Sequence, residues 1–176
     1  GNAAAPGNIP FTNIGAIDGG STVPDGKTVK VWGGTISGSR DVTVNALDAD
    51  TPYRFARGAT IGASSGGASS VTINPGVEMT FEADAGLYVS SGSVLSADGT
   101  ADNPITMTAT EGNAQPGWWQ GVFVFSNDAN NLLDHVEGRH TGSGSPNTVG
   151  DGGVVVAGGS AVTLTNSTIA QSAAYG

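Results

Sequence analysis

Apolar and polar residues alternate in short bursts along this chain, most regularly between Val71 and Thr110. Val71-Thr-Ile73, Val77-Glu-Met-Thr-Phe81, Leu87-Tyr-Val89 and Ile105-Thr-Met-Thr-Ala109 each run with a period of two, which marks strands with one buried face. Asn74-Pro75-Gly76, Ala83 to Gly86, Ser90-Ser-Gly92 and Asp98-Gly99 separate them. These breaks are built from residues that turn a chain at low steric cost. The texture continues upstream, where Thr28 to Trp32, Thr35-Ile36, Asp41 to Val44, Tyr53 to Phe55 and Ala59 to Ile61 predict further strands. Downstream, Val122 and Val124 fall on one face of a strand, with Phe123 and Phe125 on the other. Leu133 and Val136 are expected core positions, and Val154 to Val156, Val162 to Leu164 and Ile169 close the series. No stretch carries the apolar stripe of a three-turn helix, so the chain reads as all-β.

Corresponding runs recur roughly every 20 to 25 residues, a period typical of stacked repeats. A coil of two or three short strands cannot bury its apolar face alone, so neighbouring coils must stack to make the core. The pattern therefore predicts a right-handed parallel β-helix solenoid of about six or seven coils. Residues 1–27 are read as an N-terminal tether and cap, with Phe11, Ile14 and Ile17 in the cap. Residues 28–176 are the solenoid, expected to be the N-terminal part of a longer one, because no terminating cap follows Ile169. An open end of this kind offers unpaired strand edges for self-association.

Composition narrows the function. The formal net charge of −9 disfavours nucleic acid, whose phosphates need Lys and Arg. With no cysteine, neither disulfides nor thiolate metal sites are available. No run of about 18 apolar residues predicts a transmembrane segment. The small-residue start Gly1 to Asn8 is that of a mature secreted or surface-anchored protein, or of a fragment.

The order VTINPGVEMTF, GLYVSSGSVLSADGTADNPITMTAT, GWWQGVFV, NNLLDHVEGRHTG resembles the right-handed parallel β-helix repeat proteins of bacterial envelopes, over roughly Tyr53 to Gly142. The resemblance implies a pectin-lyase-like solenoid in a secreted or cell-envelope setting. It carries no function, because this fold serves lyases, hydrolases, adhesins and passive stalks alike. Gly138 departs from the pattern, where an apolar strand residue is expected, and is read as a bend or bulge.

Three groups of residues could carry chemistry. In a strand through Asp134 to His140, His135, Glu137 and Arg139 point to one side, and Asp134, Val136, Gly138 and His140 to the other. With Val136 inward, a base, a carboxylate and a guanidinium face solvent. This resembles the way β-helix polysaccharide lyases and hydrolases place their sites, and is equally the arrangement of a solvated face with surface ion pairs. Carboxylates cluster at turns, foremost Asp48 and Asp50, and the readings are a Ca²⁺ site or Asx-turn chemistry. Trp118, Trp119 and Tyr88, with Trp32 and Tyr53 behind them, are candidate platforms for sugar rings, or else core residues. Outward Thr106, Thr108, Thr110, Thr163 and Thr165 raise ice binding as a minor alternative to ordinary strand propensity. The leading expectation is a non-catalytic secreted or cell-surface module presenting a binding or structural face to glycans or other surfaces.

Overall fold

The computed structural model describes residues 8–17, 28–48, 51–62, 66–144 and 151–174. Every predicted run contains a strand. After β1 (Asn8–Ile9) the chain forms a 3-10 helix, Phe11–Ala16, that buries Phe11 and Ile14. The first complete coil is β2 (Val29–Val31), β3 (Gly34–Ile36) and β4 (Asp41–Val44). The second is β5 (Tyr53–Phe55), β6 (Ala59–Ile61) and β7 (Ser70–Ile73). The third is β8 (Glu78–Phe81), β9 (Gly86–Val89) and β10 (Val94–Asp98). The fourth is β11 (Ile105–Ala109), β12 (Gly121–Val124) and β13 (Leu132–Asp134). The fifth is β14 (Val136–Arg139), β15 (Val154–Val156) and β16 (Thr163–Thr165), and β17 (Thr168–Ala170) opens the next.

From β2 onward each strand pairs in parallel with the strand three places on, and β1 pairs with β2, which sorts the strands into three sheets of seven, five and five. The result is a parallel β-helix whose longest sheet has seven levels. No described helix is long and apolar enough to cross a membrane. The expected period of 20 to 25 residues holds only for the tightest coils. Ser69 meets Ser93 at a separation of 24, whereas Leu95 meets Asn131 at 36. The added length leaves the strands intact and falls between them, chiefly between β11 and β12 and between β14 and β15.

Inward residues stack in columns that follow the strand register. Ile36, Ile61, Val89 and Val124 form one, and Val44, Ile73, Ala97 and Leu133 another. Each member is almost fully buried. Burying a side chain of this size contributes about 1.5–3 kcal/mol, so the columns dominate stability. The third column is aromatic. Phe55 stacks on Phe81 at 5.0 Å, and Phe11 closes it from the 3-10 helix at 5.9 Å, edge to face. In register, Phe81 is followed by Ala109, which is too small to continue the stack. Trp119 fills the space instead, lying parallel to Phe81 at 4.1 Å and 6°.

Two expectations are corrected here. Asp134 to His140 is not one strand, since the strand ending at Asp134 and the strand Val136–Arg139 lie in different sheets. His135 adopts φ 49°, a left-handed conformation that turns the chain from one sheet to the next. Gly138 is no bulge, since Met107, Gly138 and Ile169 pair in unbroken register. Its missing side chain makes room, because a Cβ there would lie 2.8 Å from Ile169 Cδ1.

Candidate functional site

The outer surface of the seven-stranded sheet carries Glu137 and Arg139 of the charged candidates. Because strand residues alternate, Lys30, Arg54, Thr80 and Thr108 form one outward column. Glu78, Thr106, Glu137 and Thr168 form the next. A groove of about 450 Å³ opens on this surface, lined by Thr28, Pro52, Arg54, Thr80, Thr110, Glu111 and Gly112. Its walls mix hydroxyls, a guanidinium and a carboxylate. Arg54 is held by Glu82, with Nε donating to Oε1 at 2.7 Å.

Glu137 and Arg139 face outward from β14 and pair with each other, Arg139 Nη2 to Glu137 Oε2 at 3.2 Å. His135 does not join them. The left-handed turn places it at the corner, where its Nδ1 approaches Asp134 Oδ1 at 3.3 Å. Asp134 also accepts from Thr165 Oγ1 at 2.8 Å and Asn166 Nδ2 at 2.9 Å. These hydrogen bonds, Thr165 first, hold its carboxyl below the usual range. His140 is buried, with Nδ1 2.9 Å from Thr108 Oγ1. Burial, then the Arg139 charge, pushes its pKa down.

Asp48 is exposed, and its carbonyl accepts from the Thr51 N–H at 3.1 Å. Asp50 lies outside the described residues. Among the described residues no three His, Asp or Glu side chains converge as metal ligands would. Asp128 makes an Asx turn, accepting from Asn130 N at 2.9 Å.

The aromatic candidates separate by burial. Trp119 is 1% exposed, and its Nε1 donates to the Arg139 carbonyl at 2.7 Å, so its ring belongs to the core and not to a sugar platform. Tyr53 is likewise core, with its hydroxyl donating to the Asn45 carbonyl at 2.9 Å and its pKa raised by burial to about 12. Trp118 is half-buried, and its Nε1 donates to Phe81 O at 3.1 Å. Tyr88 is partly exposed on the outer face of β9, stacked on Phe123 at 5.3 Å, with its hydroxyl bonded to Gln120. Burial, then the Asp84 charge, raises its pKa. Alternation along the strands located Glu137 and Arg139. The groove was not foreseen, because Thr110, Glu111 and Gly112 come from a loop whose path no periodicity dictates.

Three parallel sheets built from successive coils make this a solenoid of the parallel β-helix class. Residues 34–145 match the family of the pectate-lyase like beta helix domain, and the chain belongs to that family. Comparison with curated proteins and with solved structures returned no match.

Proposed function

We propose that this chain is a non-catalytic β-helix module, secreted or held at the bacterial cell surface, that presents the outer face of its seven-stranded sheet to glycans. The observation that carries this reading is the groove over that sheet. Thr28, Thr80 and Thr110 line it with hydroxyls, and Arg54 supplies donors fixed by Glu82. Sugar hydroxyls are recognised by such convergent donors and acceptors on a rigid frame. The threonine columns are interrupted by Arg54, Glu78 and Glu137, which favours recognition of a polar polymer over ordering of an ice-like water layer. Self-association through the edge of β15 and β16, where Val156 and Leu164 are about half exposed, is the second part of the partner reading, and sedimentation at rising concentration tests it.

A polysaccharide lyase or hydrolase is the competing reading, favoured by the exposed Glu137–Arg139 pair on the same sheet surface. Incubation with soluble and insoluble polysaccharides, with and without Ca²⁺, distinguishes the two. Bound protein without released unsaturated or reducing ends supports the binding module. Products that vanish in Arg139→Ala, or in Glu137→Gln, would make it an enzyme. Binding of no polysaccharide would overturn the glycan reading.

A further inference from the structure

We propose that Trp32, Lys30 and Arg57 form a subsite for an anionic saccharide, one bearing a carboxylate or a sulfate ester, at the N-terminal end of the seven-stranded sheet. The proposal rests on the glycan-binding reading and names a place and a charge selectivity that the groove alone does not give.

Three large apolar side chains are prominently exposed among the described residues: Trp32 at 44%, Val156 at 45% and Leu164 at 47%. The exposure of Val156 and Leu164 follows from their positions at the last described level of inward columns. Trp32 has no such cause. It follows the inward Val31 and belongs to no buried column. Its backbone is nonetheless fixed, with its N–H donating to Ile9 O at 2.9 Å. The next residue, Gly33, sits at φ 82°, so close to the neighbouring coil that a Cβ would lie 2.4 Å from Gly58 O. An indole is therefore held out toward solvent on a corner that cannot relax.

Two cations attend it. Lys30 Nζ lies 4.7 Å and Arg57 Cζ 5.8 Å from the ring centroid. The residue beside Lys30 in its outward column is Arg54, already paired to Glu82. Neither Lys30 nor Arg57 makes an ion pair among the described residues. The charge of the whole molecule points the same way. Residues up to Arg57 include five basic and five acidic side chains, whereas those from Glu78 onward include one basic and ten acidic. Coils stack in chain order, so this asymmetry runs along the solenoid axis. An anion is repelled from the distal coils and admitted at this end.

A sugar ring laid on the indole would bury its C–H face there. An anionic substituent would then lie within reach of a mobile ammonium and of a guanidinium, which suits carboxylate or sulfate oxygens in a forked geometry. Lys30 adjoins Arg54 in register, so a chain bound at Trp32 continues along the outward column into the groove.

The test titrates the full chain with an oligogalacturonate, a sulfated glycosaminoglycan oligosaccharide and a neutral cello-oligosaccharide of matched length, read by calorimetry and tryptophan fluorescence. The anionic probes are expected to bind at least about tenfold more tightly than the neutral one. Trp32→Ala should weaken anionic binding about tenfold and remove most of the fluorescence change. Lys30→Ala/Arg57→Ala should abolish the preference for anions and flatten its salt dependence. All three positions lie on the surface, so melting temperatures within about 2 °C of the parent will show that these variants remain folded. The two anionic arms tell carboxylate from sulfate. Unchanged affinities in both variants, or equal binding of the neutral probe, overturn the subsite while leaving the glycan reading intact. Failure of the parent chain to bind any saccharide overturns both.

Discussion

Replacing Trp119 by alanine tests the packing most directly, because this side chain enters the core from a loop and not from a strand. The ring is 1% exposed, lies 4.1 Å from Phe81 and donates to the Arg139 carbonyl at 2.7 Å. Truncating a buried aromatic costs about 3–5 kcal/mol through lost transfer energy and the cavity left behind. Within that figure, the parallel stack accounts for roughly 0.5–1.5 kcal/mol and the hydrogen bond for about 1 kcal/mol. Ala109, beside the cavity, is too small to fill it, so a value near 4 kcal/mol is expected, on the order of the upper half of that range. For a chain of this size each kcal/mol shifts the melting temperature by about 2–4 °C, so Trp119→Ala should lower it by roughly 8–16 °C. Trp119→Phe keeps a stacked ring and loses the donor, and should cost only about 1–2 kcal/mol. Thermal melts followed by circular dichroism, with urea titrations for free energies, measure both. A drop of less than about 3 °C for the alanine variant, or equal damage from phenylalanine and alanine, would refute the proposed continuation of the aromatic column.

Three further outcomes are expected. Val124→Asp buries an unpaired carboxylate in the Ile36–Ile61–Val89 column and should prevent folding, and a cooperative melt near the parent temperature would overturn that placement. Gly121→Ala should destabilise by about 2 kcal/mol or more, because φ is 117° and a Cβ would lie 2.5 Å from Gly152 O. Gly138→Ala should cost far less, since only the mobile tip of Ile169 stands in the way, and comparable urea midpoints for the two variants would contradict this ranking. The folded pKa of His140 is depressed, so the unfolded chain takes up its proton first as pH falls below about 6.5. Its contribution is complete above that value and declines toward the lower folded pKa. His140→Gln should flatten the fall in melting temperature on the acid side of 6.5, and an unaltered slope would exclude His140 as its source.

The strands were legible because alternation with a period of two is imposed by burial of one face, and Val71 to Ile73 or Ile105 to Ala109 show it without interruption. The corners were not. LLDHVEGR carries no glycine or Asn-Gly pair at the corner to mark a turn, and although histidine enters the left-handed region more readily than most residues, it does so too rarely to locate the corner at His135. The outward order of Glu137 and Arg139 survives because both lie beyond the corner, and His135 leaves their row for the same reason. Tryptophan placement was equally opaque. Adjacent Trp118 and Trp119 suggest one inward and one outward ring, but which goes inward depends on Ala109, ten residues earlier, leaving a gap above Phe81. Gly138 and Ile169 are a similar pair, a hole and its filler separated by one full coil.

The segment that closes the groove has a property that follows from how its two ends are tied. Thr110 is buried and bonded to Asn113, while Trp118 and Trp119 at the other end are fastened to Phe81 and Arg139. Glu111 and Gly112 are thus positioned before any ligand arrives. A polymer entering the groove need not order this lip, so little conformational entropy is lost from the protein on association. Most of the remaining entropic cost then falls on the ligand, and stiff, extended chains should be favoured over flexible ones of the same chemistry.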